Sequence, residues 1–326
     1  TKDPDKLIET VLILQPAFGG INLEDIAQPK CFRILDELRR QAEIPVWHDD
    51  QQGTATVTLA GLMNALKVVG KKKEDVRIVF IGSGAASAAC ARLAFGWGID
   101  PAQAVIVDSK GILHKNRPDM AEIRREFPQK YRLCEITNSE GRSGGIAEAL
   151  RGADVVVGLS KPEPGTIQPE WIRNMAKDPI VFACANPLPE IWPWDAKAAG
   201  AAIVATGRSD FPNQVNNSLC FPGIFRGALD VRARTITDEM CYAAAETIAA
   251  QIGDRLDADH IIPTMEDEDL YPRQAAAAGM VAQQQGIARL SLSYDQLYQQ
   301  AKALIARSRS MTHWMMQEGY IPHANA

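Results

Sequence analysis

The run Ile78-Val79-Phe80-Ile81-Gly82-Ser83-Gly84-Ala85-Ala86-Ser87 carries the strongest structural signal in the chain. Four consecutive β-branched or aromatic residues read as a buried strand, and the two glycines punctuate it. The Ala-rich stretch 85–97 then reads as a helix. A strand that enters a Gly-rich turn and continues as a helix aims free N–H groups and the positive end of the helix dipole at one point, the arrangement a pyrophosphate needs. Gly82 permits the tight turn, and Gly84 lets the backbone approach the ligand. Ser83, Ala85 and Ala86 complete the turn and the first helical residues. Ser87 stands where the G-x-G-x-x-G pattern carries its third glycine. A tight strand-to-helix turn without a ligand is the competing reading.

Asp108 adds to the signal. It closes the next apolar run and lies 24 residues beyond Gly84, near the ~20 expected of an acid that binds a ribose 2′-hydroxyl. It could equally cap the turn Ser109-Lys110-Gly111. An acid there favours NAD, whereas Lys110, Lys115 and Arg117 could receive the 2′-phosphate of NADP, so the choice stays open.

Short apolar runs recur at 76–81, 104–107, 154–158, 180–184 and 202–205, most of them separated by helix-compatible stretches such as 169–175. Near-continuous apolar strands spaced by helices predict a doubly wound α/β unit, a parallel sheet covered on both faces. After Phe221-Pro222-Gly223 the pattern turns helical, with helices expected at 237–251, N-capped by Thr237, and at 272–285. The first fifty residues combine helices at 5–14 and 29–41 with one strand at 44–47, too little to bury a core alone. We therefore expect a Rossmann-like dinucleotide domain, 53–215, inserted in a smaller, mainly helical domain made of 1–52 and 216–326.

Composition excludes several function classes. At 326 residues, 46% apolar and 23% charged, the chain is ordinary for a folded protein. A net charge of −5 without a long basic block argues against nucleic acid. No apolar run approaches the ~18 residues of a membrane span, and no signal-peptide pattern opens the chain. Six scattered cysteines without a C-x-x-C pair predict buried free thiols in a reducing compartment, hence a cytoplasmic protein. The isolated His114, His260, His313 and His323 lack metal-ligand spacing.

Two carboxylate pairs stand out: Glu24-Asp25 and Asp49-Asp50. If they converge, mutual repulsion raises at least one pKa unless a cation compensates, and hard oxygen donors select Mg²⁺ or Mn²⁺. Separately, Glu24-Asp25 could solvate a loop, and Asp50 could N-cap the helix 54–69. Asn186, before Pro187, could be a turn residue, and Asn217 a helix cap. Trp192-Pro193-Trp194 is expected to pack a loop, and Arg208 to pair with Asp210 or bridge to the cleft.

Taken in order, Phe18-Gly-Gly-Ile-Asn-Leu-Glu-Asp25, His48-Asp-Asp-Gln-Gln-Gly-Thr-Ala55, the Gly82 loop, Ala185-Asn-Pro187, Ala205-Thr-Gly-Arg-Ser-Asp210 and Pro212-Asn-Gln-Val-Asn-Asn217 with Phe221-Pro-Gly223 resemble a malic enzyme of the compact prokaryotic type. The resemblance runs from Thr1 to at least Arg289. It implies oxidative decarboxylation of (S)-malate to pyruvate and CO₂ with NAD or NADP and a divalent cation. It puts Glu24, Asp25 and Asp50 on the metal-ligand positions and Asp49 on the neighbouring acid that supports catalysis. Asn186 and Asn217 fall on the substrate asparagines, Asn186 also facing the cofactor. The family's catalytic Tyr and Lys and a substrate-binding Arg precede the metal motif. The chain is accordingly expected to be truncated, inactive alone, and part of a homodimer or larger assembly. Two other readings compete: a metal-independent amino-acid dehydrogenase, which the paired acids oppose, and a non-catalytic dinucleotide-binding regulatory module.

Overall fold

The structure, a computed structural model, describes residues 1–322; His323 lies outside them. The chain opens with α1 (Pro4–Leu14), whose first N–H groups are met by the Asp3 carboxylate, followed by β1 (Ile21–Leu23), α2 (Lys30–Gln41) and β2 (Val46–His48). β1 and β2 pair in parallel, Leu23 opposite His48. Ile8, Val11, Leu23, Ile34, Leu35, Leu38 and Val46 form the apolar cluster beneath them. One strand was expected here and two are present. Only three residues long and flanked by Gly-Gly and two acids, β1 carries no periodic signal.

α3 (Thr54–Val69) follows and ends at Gly70 in the left-handed region. The next units are β3 (Ile78–Ile81), α4 (Ala85–Trp97), β4 (Val105–Asp108), β5 (Gly111–Ile112), α5 (Met120–Glu126), α6 (Pro128–Ile136) and α7 (Ile146–Leu150). β6 (Val155–Gly158), α8 (Pro169–Ile172), β7 (Ile180–Ala183), α9 (Pro193–Ala198) and β8 (Ile203–Thr206) complete the sheet region. Strand order is β5-β4-β3-β6-β7-β8. All neighbours are parallel except β5, which turns back antiparallel on β4. The sheet is therefore mixed at one edge, a departure from the all-parallel expectation. A two-residue strand after Asp108-Ser-Lys-Gly111 is too short to register as an apolar run.

The apolar residues of the parallel strands serve both faces. Val79, Ile81, Val105, Val107, Val156, Val181 and Val204 pack with α7, α8 and α9. The intervening Ile78, Phe80, Ile106, Val155, Val157, Phe182 and Ile203 pack with α3 and α4. Successive side chains alternate faces, which is why these strands are apolar throughout.

The chain ends in α10 (Phe221–Asp230), α11 (Asp238–Gln251), α12 (Leu270–Gln284) and α13 (Tyr294–Gln317). Thr237 caps α11 through its hydroxyl as expected. α10 lies close on α12 because Gly227 has no side chain; a Cβ there would sit 2.3 Å from the Ala275 carbonyl oxygen. The apolar cluster that contains Phe80 and α3 continues without interruption into α10, α11 and α12. α13 was not anticipated, since only Leu297 and Ala301 on it are buried and its amphipathic stripe is weak. All six cysteines are free and buried. Among the described residues, no helix is long and apolar enough to cross a membrane.

Candidate active site

β3 lies between β4 and β6, so the chain leaves the sheet in opposite directions on either side of it. Ligands bind in the crevice that opens at such a switch point. A cavity of about 850 Å³ occupies it, lined by Gly82, Ser83, Gly84, Asp108, Lys110, Leu159, Ser160, Lys161 and, from the N-terminal segment, Gln28. The two glycines are there for different reasons. Gly82 has φ +113, and a Cβ on it would lie 2.4 Å from the Leu159 carbonyl oxygen, so the turn itself demands glycine. Gly84 has ordinary φ, and a Cβ would meet nothing within 4 Å. No protein atom requires glycine at 84, and the space above it opens into the cavity. Ser87, fully buried, donates its hydroxyl to the Gly82 carbonyl at 2.8 Å and ties the first turn of α4 to the loop. Ala85 and Ala86 begin α4, where their small side chains leave the helix end open.

Asp108 sits at the end of β4 on the cavity wall, nearly buried. Its Oδ1 accepts from Arg117 Nη1 at 2.9 Å and from the Lys110 backbone N–H at 2.8 Å, and its other oxygen meets the Lys130 ammonium. Burial pushes its pKa up, but the bonds from Arg117, Lys130 and Lys110 outweigh it and hold the carboxyl below the usual range. Arg117 also grips Asp119, and Lys110 pairs with Asp119 and Glu122. Of the three cations the sequence offers a 2′-phosphate, Lys110 and Arg117 are paired with acids, and Lys115 is exposed and does not line the cavity. Lys130 was missed, because it lies 22 residues downstream and only the packing of α6 returns it.

The acidic segments meet across β1 and β2. The backbone N–H of Asp25, at φ +56, donates to Asp50 Oδ2 at 2.9 Å, and Asn22 reaches Glu24. Asp50 is not the N-cap of α3. Residues Asp49–Gly53 form a single π-helical turn instead, and Gly53 precedes α3. Asp49 is buried; it accepts from Trp47 Nε1 at 3.1 Å and from the Asn217 amide. Burial raises its pKa, and the charges of Glu24 and Asp50 raise it further. Carboxylate oxygens are the donors that a hard divalent ion takes. Among the described residues, no group of three or more His, Cys, Asp or Glu side chains is gathered tightly enough to hold one.

Asn186 follows β7, is exposed, and lines an open cleft with Gly207, Arg208, Asp210 and Asn216. Asn217 does not cap a helix: Asn216 accepts from the Ser218 N–H, and Asn217 turns to Asp49. Arg208 pairs with Asp210 through two nitrogens and also donates to the Pro187 carbonyl at 2.9 Å. Trp192 and Trp194 stack at 4.9 Å beside Phe211, packing the loop as anticipated. Glu190, fully buried, accepts the backbone N–H groups of Ser160 and Ala185; its one signal in the sequence is an acid among the apolar and Pro residues of 187–193.

The doubly wound sheet, its switch-point cavity and the glycine turn define a dinucleotide-binding protein. Residues 51–284 match the model of the malic enzyme NAD-binding domain, and residues 1–39 match that of the malic enzyme N-terminal domain. The chain belongs to the malic enzyme family. It is 46% identical to the bifunctional malic/malolactic enzyme of Bacillus subtilis, over 93% of this chain and 72% of that one. It is also 46% identical to the NAD-dependent malic enzyme of Geobacillus stearothermophilus, over 89% of this chain and 58% of the other. The crystal structure of Entamoeba histolytica malic enzyme superposes with a TM-score of 0.94 at 51% identity, covering 98% of this chain and 66% of that chain. The chain thus spans roughly three fifths to three quarters of the length of these relatives.

Proposed function

We propose that this protein carries the dinucleotide, metal and substrate-positioning groups for oxidative decarboxylation of (S)-malate to pyruvate and CO₂, with reduction of NAD⁺. Residues 53–215 hold the dinucleotide; 1–52 and 216–326 supply the acidic edge and the helices around it. The observation that carries the reading is Gln28. Three residues past Asp25, it lines the same cavity as Gly84, so the acid-bearing loop borders the dinucleotide crevice.

The Gly82–Ser87 turn holds the pyrophosphate through backbone N–H groups at the start of α4. Bound nicotinamide supplies the hydride acceptor. Glu24, Asp25 and Asp50 are the oxygen donors that would close on a divalent cation, Mg²⁺ or Mn²⁺; they are not gathered into a tight site here, and the ion would supply Lewis-acid polarisation of a substrate oxygen. Asn186 and Asn217 donate amide N–H groups to malate carboxylate oxygens, which fixes the face presented to the cofactor. Asp49 orients Asn217 by accepting one of its two amide hydrogens.

NAD is favoured over NADP because the charges around Asp108 cancel. Asp108, Asp119 and Glu122 offset Lys110, Arg117 and Lys130, leaving no net attraction for a 2′-phosphate. The exposed Leu304, Met311 and Trp314 on α13 support a homodimer or larger assembly, which sedimentation of the enzyme as a monomer alone would refute. Fluorescence titration with NADH, with and without Mn²⁺ and malate, tests the function. Metal-dependent malate binding is expected. Cofactor binding indifferent to both would leave the regulatory-module reading in its place.

A further inference from the structure

Glu190 is fully buried, and every donor it meets is neutral. Its Oε1 accepts the Ser160 backbone N–H at 2.9 Å and lies 3.4 Å from the Ser160 hydroxyl. Its Oε2 accepts the Ala185 backbone N–H at 3.1 Å. Its own carbonyl accepts from the N–H groups of Gly165 at 3.0 Å and Ile167 at 3.1 Å. Room for the carboxylate comes from Gly158: a Cβ there would lie 2.8 Å from Glu190 Cδ. Gly158 has no positive φ, so the close approach of Glu190 is what excludes a side chain.

These contacts join two places. Ser160 follows β6 and lines the dinucleotide cavity together with Leu159 and Lys161. Ala185 follows β7 and immediately precedes Asn186, which lines the open cleft. Parallel ladder bonds between β6 and β7 stop at the end of the strands: the Cys184 N–H still reaches the Gly158 carbonyl at 3.0 Å. One residue further on, the gap is filled by the Glu190 carboxylate. An apolar side chain of equal size would fill that volume without the cost of burying a carboxylate, but it would leave two backbone donors unmet and the two loops unlinked.

We propose that Glu190 is a positioning residue that fastens the 159–161 wall of the dinucleotide cavity to the Asn186 loop, so that the nicotinamide half of the cofactor and the substrate asparagine keep one fixed relation. The inference rests on the dinucleotide reading of the cavity. It predicts a local effect. The adenosine half is placed at Asp108 on β4, which lies two strands beyond β6 and three from β7, roughly 14 Å from the latter at strand spacing.

Two variants test it. Glu190→Gln keeps the volume but sets an amide N–H₂ against a backbone N–H, breaking one tie. Gly158→Ala displaces the carboxylate from the other side. NADH and ADP are titrated into the wild-type chain and both variants, with melting temperatures alongside. Supporting the proposal, NADH binding weakens about tenfold or more (about 1.4 kcal/mol) in a folded variant while ADP binding changes less than about twofold. Equal NADH affinity in a folded variant overturns it, as does parallel loss of NADH and ADP, which marks a general structural role. If Glu190→Gln does not fold, Gly158→Ala decides on the same criteria. Failure of both to fold overturns positioning in favour of a fold requirement. A wild-type chain that binds neither nucleotide overturns the cofactor reading itself, a result distinct from loss in the variants alone.

Discussion

Arg117 Nη1 lies 2.9 Å from Asp108 Oδ1 at the end of β4, with both side chains nearly removed from water. The same guanidinium donates to both oxygens of Asp119. A buried carboxylate on the cavity wall is thereby neutralised by the chain's own cations.

Removing the guanidinium leaves a buried charge without its main partner. Arg117→Gln should cost about 3–5 kcal/mol of stability at pH 7. The pKa values of Asp108 and Asp119 are both held below the usual range, Asp119 chiefly by its Arg117 bonds. Their contribution is therefore present above the unfolded carboxylate value of about 3.9 and fades as pH falls through the lower folded values. Urea unfolding of wild type and variant at pH 7 and near pH 3 should show the gap shrinking at the lower pH. An undiminished gap would contradict the ion-pair account.

Asp108→Ser leaves Arg117 and Lys130 in excess beside the ribose position. The ratio of NADPH to NADH affinity should rise about tenfold, equivalent to about 1.4 kcal/mol, measured by parallel fluorescence titrations. The ratio is read from folded molecules, so a loss of stability does not confuse it. No change would mean that the 2′ position lies elsewhere.

Gly82→Ala and Gly84→Ala should separate folding from binding. The first places a Cβ against the Leu159 carbonyl and at a positive φ, so thermal stability falls by about 1–3 kcal/mol. The second meets no protein atom, so melting is unchanged while NADH affinity drops about tenfold or more. Unchanged NADH binding in Gly84→Ala would remove the argument for a ligand seated there.

For the acidic edge, chelation by EDTA should abolish the effect of malate on NADH fluorescence, and added Mn²⁺ should restore it. Asp50→Asn and Glu24→Gln should each raise the Mn²⁺ concentration required by about tenfold or more, since each removes an anionic oxygen donor. Malate binding that persists in EDTA would exclude the metal role.

Much of the α/β unit was legible in the chain. Ile78–Ile81 announced a strand because both its faces are buried, and Ala85–Trp97 and Thr54–Val69 announced helices by composition and period. Weak local signals hid the rest. β1 and β5 are two or three residues long, and α13 carries only Leu297 and Ala301 into the interior. Of the site, Gly82, Gly84, Asp108 and the acid pairs could be named from spacing. Their partners could not, because Lys130 reaches Asp108 from α6 and Asn217 reaches Asp49 across 168 positions.

Local periodicity and residues adjacent in the chain carry the principal strands and helices, the glycine turn, the family resemblance and the inventory of carboxylates and amides. How those groups are used depends on packing between distant segments. That Asp108 is already neutralised, that Asp50 accepts the Asp25 N–H rather than capping α3, and that Glu190 bridges two loops are all consequences of segments distant in sequence packing against one another. Contacts of that kind leave no periodic trace, since the free energy that fixes them comes from burial shared across the whole sheet.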